Sequence, residues 1–169
     1  MGGPLPAGFT EDNSMVLKLR NYVNLPPHSS GGFDHADVHN SSGRVFVAHT
    51  ATGGVDIIGG EPLIHLTTIP GCPEGSGVLC AQDEGLVFAA ARGGGKILVI
   101  EAVSMTLLHD VAAGSKPNGL AWDSRRKQLL VTDVKDFQGR LLDPFSRNVL
   151  AKVTLPGRPR LVYIRSYVR

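Results

Sequence analysis

Long apolar runs are absent: nowhere do the 169 residues approach the roughly 20 consecutive apolar residues of a membrane-spanning helix. The opening stretch MGGPLPAGFTEDNS lacks the basic start and apolar core of a secretory signal. Both absences point to a soluble, cytoplasmic chain with no membrane partner. An excess of one charge is missing too. Seventeen basic side chains stand against 15 acidic ones, a formal charge of +2, with no concentrated basic face for a phosphate backbone, so nucleic acid is not an expected partner. Cysteine is scarce: Cys72 and Cys80 are the only two, and their spacing is not that of a zinc module or a disulfide framework. Uninterrupted helix windows are few, because 21 Gly and 11 Pro are spread along the chain; an all-helical fold is thereby disfavoured. What remains is the length of one ordinary domain with 42% hydrophobic residues, enough to bury a core.

What is present is a repeat. A shift of 42 residues superposes the chain on itself through three copies without a gap. Val45, Val87 and Leu129 align, followed by Phe46, Phe88 and Leu130 and then Val47, Ala89 and Val131. Ile57, Val99 and Leu141 mark a second strand, Leu66, Leu108 and Leu150 a third, and Val38, Cys80 and Trp122 one upstream of the first. Turn-forming runs such as NSSGR at 40–44, RGGGK at 92–96 and DSRRK at 123–127 separate them. Four short strands per period of 42 predict an all-β chain of β-propeller blades, each a four-stranded antiparallel sheet that buries its faces on its neighbours.

The expected organisation is a flexible segment over 1–14, an outer strand over 15–26, repeats at 33–74, 75–116 and 117–158, and the start of a next blade over 159–169. In that last piece Pro159 falls on Pro117. At 42 residues per blade the 169 residues supply four blades at most, so the chain reads as an incomplete propeller, unless the strands over 15–26 and 159–165 share one sheet and close a small ring. Its end blades would expose apolar faces and favour self-association.

The repeat units, with phrases such as SGRVFVAHTATGGVDII and KQLLVTDV, resemble the YVTN-type β-propeller family. Val99-Ile100-Glu101 fits its V-x-V-I-D/E strand well and Leu141-Leu142-Asp143 in part, whereas Ile57-Ile58-Gly59 lacks the acid. These motifs define a blade and imply no activity. KPNGLAWD at 116–123 is similar to the regucalcin/gluconolactonase propellers, and that likeness implies that Asn118 binds a divalent cation in the central channel. Glu74 is the approximate counterpart of the acidic ligand, two residues out of register.

The innermost strand of each blade lines the channel, so residues 42 apart approach one another around its axis. Asp34, Ser76 and Asn118 form such a ring of small oxygen-bearing side chains. They suit a ligand, a hard cation or ordered water, and equally suit turn capping. His35, Asp37 and His39 share a strand face by their period of two, which raises zinc. Neighbours at i and i+2 lie about 6.5 Å apart, so a common metal requires converging side chains, and a hydrated channel rim is the plainer reading. His49, which aligns with Asp133, is a further candidate. Cys80, aligned with Trp122 and Val38, reads as a buried apolar filler. RGGGK lacks the Gly-Lys-Ser/Thr ending of a phosphate-binding loop, and no G-x-S-x-G nucleophile turn occurs.

The resulting expectation is a non-catalytic scaffold, even a shortened copy of a longer propeller, that presents a protein or small-molecule site at the channel mouth around Asp34, Ser76 and Asn118. The alternative is a metal-dependent lactonase-like hydrolase, with calcium or zinc held by Asp34, His35, Glu74 and Asn118.

Overall fold

The computed structural model describes residue 19 and residues 21–164. Twelve strands form three four-stranded antiparallel sheets, each a meander in chain order. The first holds β1 (Ala36–His39), β2 (Arg44–His49), β3 (Gly54–Gly59) and β4 (Ile64–Pro70). The second holds β5 (Gly75–Ala81), β6 (Leu86–Ala91), β7 (Lys96–Glu101) and β8 (Thr106–Ala112). The third holds β9 (Pro117–Asp123), β10 (Gln128–Asp133), β11 (Gln138–Asp143) and β12 (Asn148–Thr154). The only helical turns among the described residues are Gln82–Glu84 and Arg92–Gly94. No helix there is long and apolar enough to cross a membrane.

The 42-residue period governs the backbone as well as the side chains. β2, β6 and β10 start 42 residues apart, and so do the strands that follow them. A register shift between the third and fourth strands recurs at Ile57/Ile58, Val99/Ile100 and Leu141/Leu142, one bulge per sheet that bends the outer strand. The turn between the first two strands passes through a left-handed residue at Gly43, Gly85 and Lys127, and the next turn does so at Gly53, Gly95 and Phe137. Glycine adopts that conformation freely, while Lys127 and Phe137 hold it under the constraint of the turn.

Packing follows the same logic. One core joins the first and second sheets through Phe46, Ala48 and Ile57 against Val87, Leu98 and Ile100. A second joins the second and third sheets through Phe88, Ile97 and Val99 against Leu129, Val131 and Leu142. The middle sheet is therefore covered on both faces, and all six residues of β6 are buried. This explains its unbroken apolar run, LVFAAA, where a half-exposed strand would alternate. Every residue of the outermost β12 is exposed.

Trp122 occupies the predicted position facing the preceding sheet. Its ring lies 5.1 Å from that of Phe88, and its indole N–H donates to Glu84 Oε2 at 2.8 Å. It is half-buried, and Cys80 does the equivalent work one sheet earlier. Val38, the third member of the set, is 42% exposed, since no described strand packs on that side of the first sheet.

At the ends the outcome differs from expectation. Residues 21–26 pair with no strand, and the rest of the segment expected over 15–26 lies outside the described residues except Leu19. The flexible segment expected over 1–14 lies outside them as well. Residues 159–164 form no strand either, and 165–169 lie outside the described residues. A ladder needs partner strands, and no described residue pairs with either segment as a strand.

Candidate functional site

The innermost strands β1, β5 and β9 lie side by side, and residues related by the repeat touch. His35 N donates to Ser76 O at 3.3 Å. A Cβ built on Gly77 would lie 2.4 Å from Asn118 O, and one on Gly119 would lie 2.7 Å from Arg160 O. The Asn118 amide nitrogen donates to that same Arg160 carbonyl at 2.8 Å. Arg160, 42 residues beyond Asn118, thus takes the fourth place in the ring, although its segment forms no strand. The two glycines are needed because any side chain would push the neighbouring inner strand away.

An open cavity of ≈ 500 Å³ lies beside these inner segments, and Asp34, His35 and Asn118 line it together with Arg92, Arg158 and Arg160. The His35 ring nitrogen Nδ1 sits 2.5 Å from Asp34 Oδ1. Arg92 enters from the turn after β6 and donates to Asn118 Oδ1 at 3.3 Å. Its Nε is buried without a hydrogen-bond partner, 3.6 Å from Glu74 Oε2. Glu74 is taken by Lys116, whose Nζ lies 2.9 Å from the same oxygen. The Lys116 hydrogen bond and charge, with a smaller contribution from Arg92, hold the Glu74 carboxyl below its ordinary value.

Of the expected ring, Asp34 and Asn118 reach the cavity. Ser76 is fully buried and its hydroxyl turns to Pro117 O at 3.4 Å. Among the residues weighed as metal ligands, Asp34, His35 and Asn118 come together, whereas Glu74 is occupied by Lys116 and Arg92. Asn118 Oδ1 faces a guanidinium, an arrangement that disfavours a cation at that oxygen. Among the described residues no three His, Cys, Asp or Glu side chains are gathered as a metal site.

The shared face of His35, Asp37 and His39 does not converge either. Asp37 Oδ2 accepts the Cys80 N–H at 2.8 Å and so joins the first sheet to the second, while His39 is buried against Ser42, 2.8 Å from its hydroxyl. Cys72 and Cys80 are free, buried thiols, each pushed up to about 12 by burial.

Two polar clusters were not legible as such. His49 Nδ1 lies 2.7 Å from Asp56 Oδ2, both fully buried, and His49 Nε2 lies 2.8 Å from His28 Nδ1. The Thr68 hydroxyl donates to Asp56 Oδ1 at 2.5 Å. His65 Nε2 lies 3.0 Å from the same hydroxyl, and the network ties His28 to the first sheet. The third sheet places Asp133 and Arg140 at the same two repeat positions, 3.8 Å apart, and the second sheet places Ala91 and Leu98 there. The one sequence signal was the alignment of His49 with Asp133. The missed cations of the cavity had a clearer one, since Arg160 follows Asp34, Ser76 and Asn118 at the same interval.

Solved structures share this architecture at low sequence identity. The chain superposes on hydrazine synthase from Kuenenia stuttgartiensis with a TM-score of 0.69 at 11% identity, over 77% of this chain and 38% of that one. For the periplasmic gluconolactonase PpgL of Pseudomonas aeruginosa the values are 0.66, 20%, 80% and 42%. For the WD40 domain of Pan2 from Neurospora crassa they are 0.66, 12%, 79% and 41%. The fold is that of β-propeller blades, and the chain spans about two fifths of the length of these proteins. No protein-family model and no curated protein matches the sequence.

Proposed function

We propose that the chain is a non-catalytic binding scaffold of YVTN-type blades, with its ligand site at the channel mouth. The observation that carries this reading is the cavity itself. Asp34 and His35 from the first sheet, Arg92 from the second, Asn118 from the third and Arg160 from the following segment converge on one hollow of ≈ 500 Å³, within the usual size range of small-molecule sites. Loops on a rigid scaffold are where such sites are built.

The test is a set of small ligands of mixed charge followed by amide NMR. Binders should shift the amides of Asp34, His35, Arg92, Asn118 and Arg160 together. Binders that shift only residues elsewhere, such as the hollow at Asn24 and His65, would refute the assignment.

A second reading, a lactonase-like hydrolase with a channel cation, draws on the KPNGLAWD phrase and on the presence of a gluconolactonase among the structural neighbours. It predicts that calcium or zinc raises the melting temperature, and that Asp34→Ala or Asn118→Ala abolishes the rise. The guanidinium of Arg92 on Asn118 Oδ1 weighs against it.

A further inference from the structure

We infer that the channel-mouth site takes a small anion, a carboxylate or a phosphate group; this rests on the scaffold reading above and specifies its ligand. The chain as a whole is close to neutral, at +2, yet its charge is unevenly placed. A second hollow adjoins the first, sharing Arg158 with it, and is lined by Lys116 and Lys135. Across the two, five cations (Arg92, Lys116, Lys135, Arg158 and Arg160) meet one carboxylate, Asp34. Asp34 is engaged by His35, and Glu74 is shared by Lys116 at 2.9 Å and Arg92 at 3.6 Å.

The three arginines of the first hollow retain donors to offer. Arg158 and Arg160 are exposed, and neither guanidinium is paired with a carboxylate among the described residues. Arg92 keeps a buried Nε with no hydrogen-bond partner, beside a cavity it lines. An unpartnered N–H of a charged group in a partly enclosed site is costly unless a ligand accepts from it. Planar guanidinium forks match the paired oxygens of carboxylate and phosphate, and a concave cationic site concentrates anions. Asn118 has both ends of its amide occupied, by Arg92 and by Arg160 O. It orients the arginine rather than acting as a ligand itself.

The ligand is a small molecule rather than a nucleic acid strand. The cations line two adjoining hollows of limited volume, and the one aromatic ring among the described residues lining the first, the His35 imidazole, is engaged by Asp34 instead of being free for a base to stack on.

The test is an amide NMR titration of the full chain with sodium phosphate and, separately, sodium malonate, at constant ionic strength set by sodium chloride. Saturable shifts at Asp34, His35, Arg92, Asn118 and Arg160 with either anion support the inference, and the tighter of the two identifies the group. The variant Arg158→Gln/Arg160→Gln changes two exposed side chains and leaves the Arg160 carbonyl in place. It should weaken binding by about tenfold or more, the effect of losing charged hydrogen bonds. Equal affinity in that variant, or shifts that chloride reproduces, overturns the inference. A single-stranded oligonucleotide that binds these residues more tightly than phosphate overturns it as well. If glycerol saturates these amides and the anions do not, the inference falls and the scaffold reading stands; if calcium alone saturates them, the inference falls and the lactonase-like reading gains; if no probe of any charge reaches them, both the inference and the scaffold reading fall.

Discussion

Replacing Asp133 by Ala removes the acceptor on which four backbone N–H groups converge. Ser115 and Lys116 donate to Oδ2 at 2.7 and 3.1 Å, and Lys135 and Asp136 donate to Oδ1 at 2.9 Å each. The carboxylate is fully buried and therefore joins the link before β9 to the turn after β10. Hydrogen bonds to a charged group contribute about 1.5–3 kcal/mol each, but four on one carboxylate do not add. The Arg140 guanidinium lies 3.8 Å from Asp133 but keeps its closer partner Asp136 at 2.6 Å, so the loss falls on the four buried N–H groups, about 1–3 kcal/mol for a donor left unsatisfied. The expected loss for Asp133→Ala is therefore about 3 kcal/mol, against a typical total of about 5–15. Urea denaturation measures it. Burial pushes the Asp133 carboxyl up, yet its backbone donors outweigh burial and hold the value below the ordinary one. A depressed folded value stabilises above the unfolded pKa of about 3.9, and that contribution disappears as pH falls through the folded value. Between about pH 5 and pH 2 the wild type should thus lose more stability than Asp133→Asn. A cost for Asp133→Ala below about 1 kcal/mol, or identical acid profiles, would refute the reasoning.

Other consequences are independent of that carboxylate. Trp122→Ala should cost about 2–3 kcal/mol, below the full core value because the ring is half-buried, and native Trp fluorescence should lie to the blue of hydrated indole. Cys72 and Cys80, pushed up to about 12 by burial, should resist thiol reagents at pH 8 until urea unfolds the chain; rapid labelling of the native protein would contradict their placement. Phe137→Gly should stabilise by about 1 kcal/mol, since it relieves a left-handed φ of 53° at a half-exposed side chain. A loss in melting temperature would show that the Phe137 ring makes contacts worth more than the strain.

The architecture was legible because one interval writes itself into every level. Phe46, Phe88 and Leu130 announce the strands, and Gly43 and Gly85 announce the turns that Lys127 then keeps without a glycine. Side-chain partners were less legible, because they depend on what the next sheet contributes. Ser76 fits the ring by position, but its hydroxyl is spent on a backbone carbonyl. Glu74 has a ligand's chemistry, and Lys116 takes it. Composition could not show the cationic hollow: Arg92, Arg158 and Arg160 come from a turn and a distant segment, and only the closing of inner strands around one axis brings them together.

The contact between successive inner strands is the point on which ring, cavity and ligand site all depend, and nuclear Overhauser effects read it directly. Gly77 should show effects to Asn118, and Gly119 to Arg160 and Leu161, the pairs whose backbones approach within a Cβ's reach, alongside the ladder effects within each sheet. Intact ladders without the contacts from Gly77 and Gly119 would mean that the blades do not share a channel, and would contradict the account.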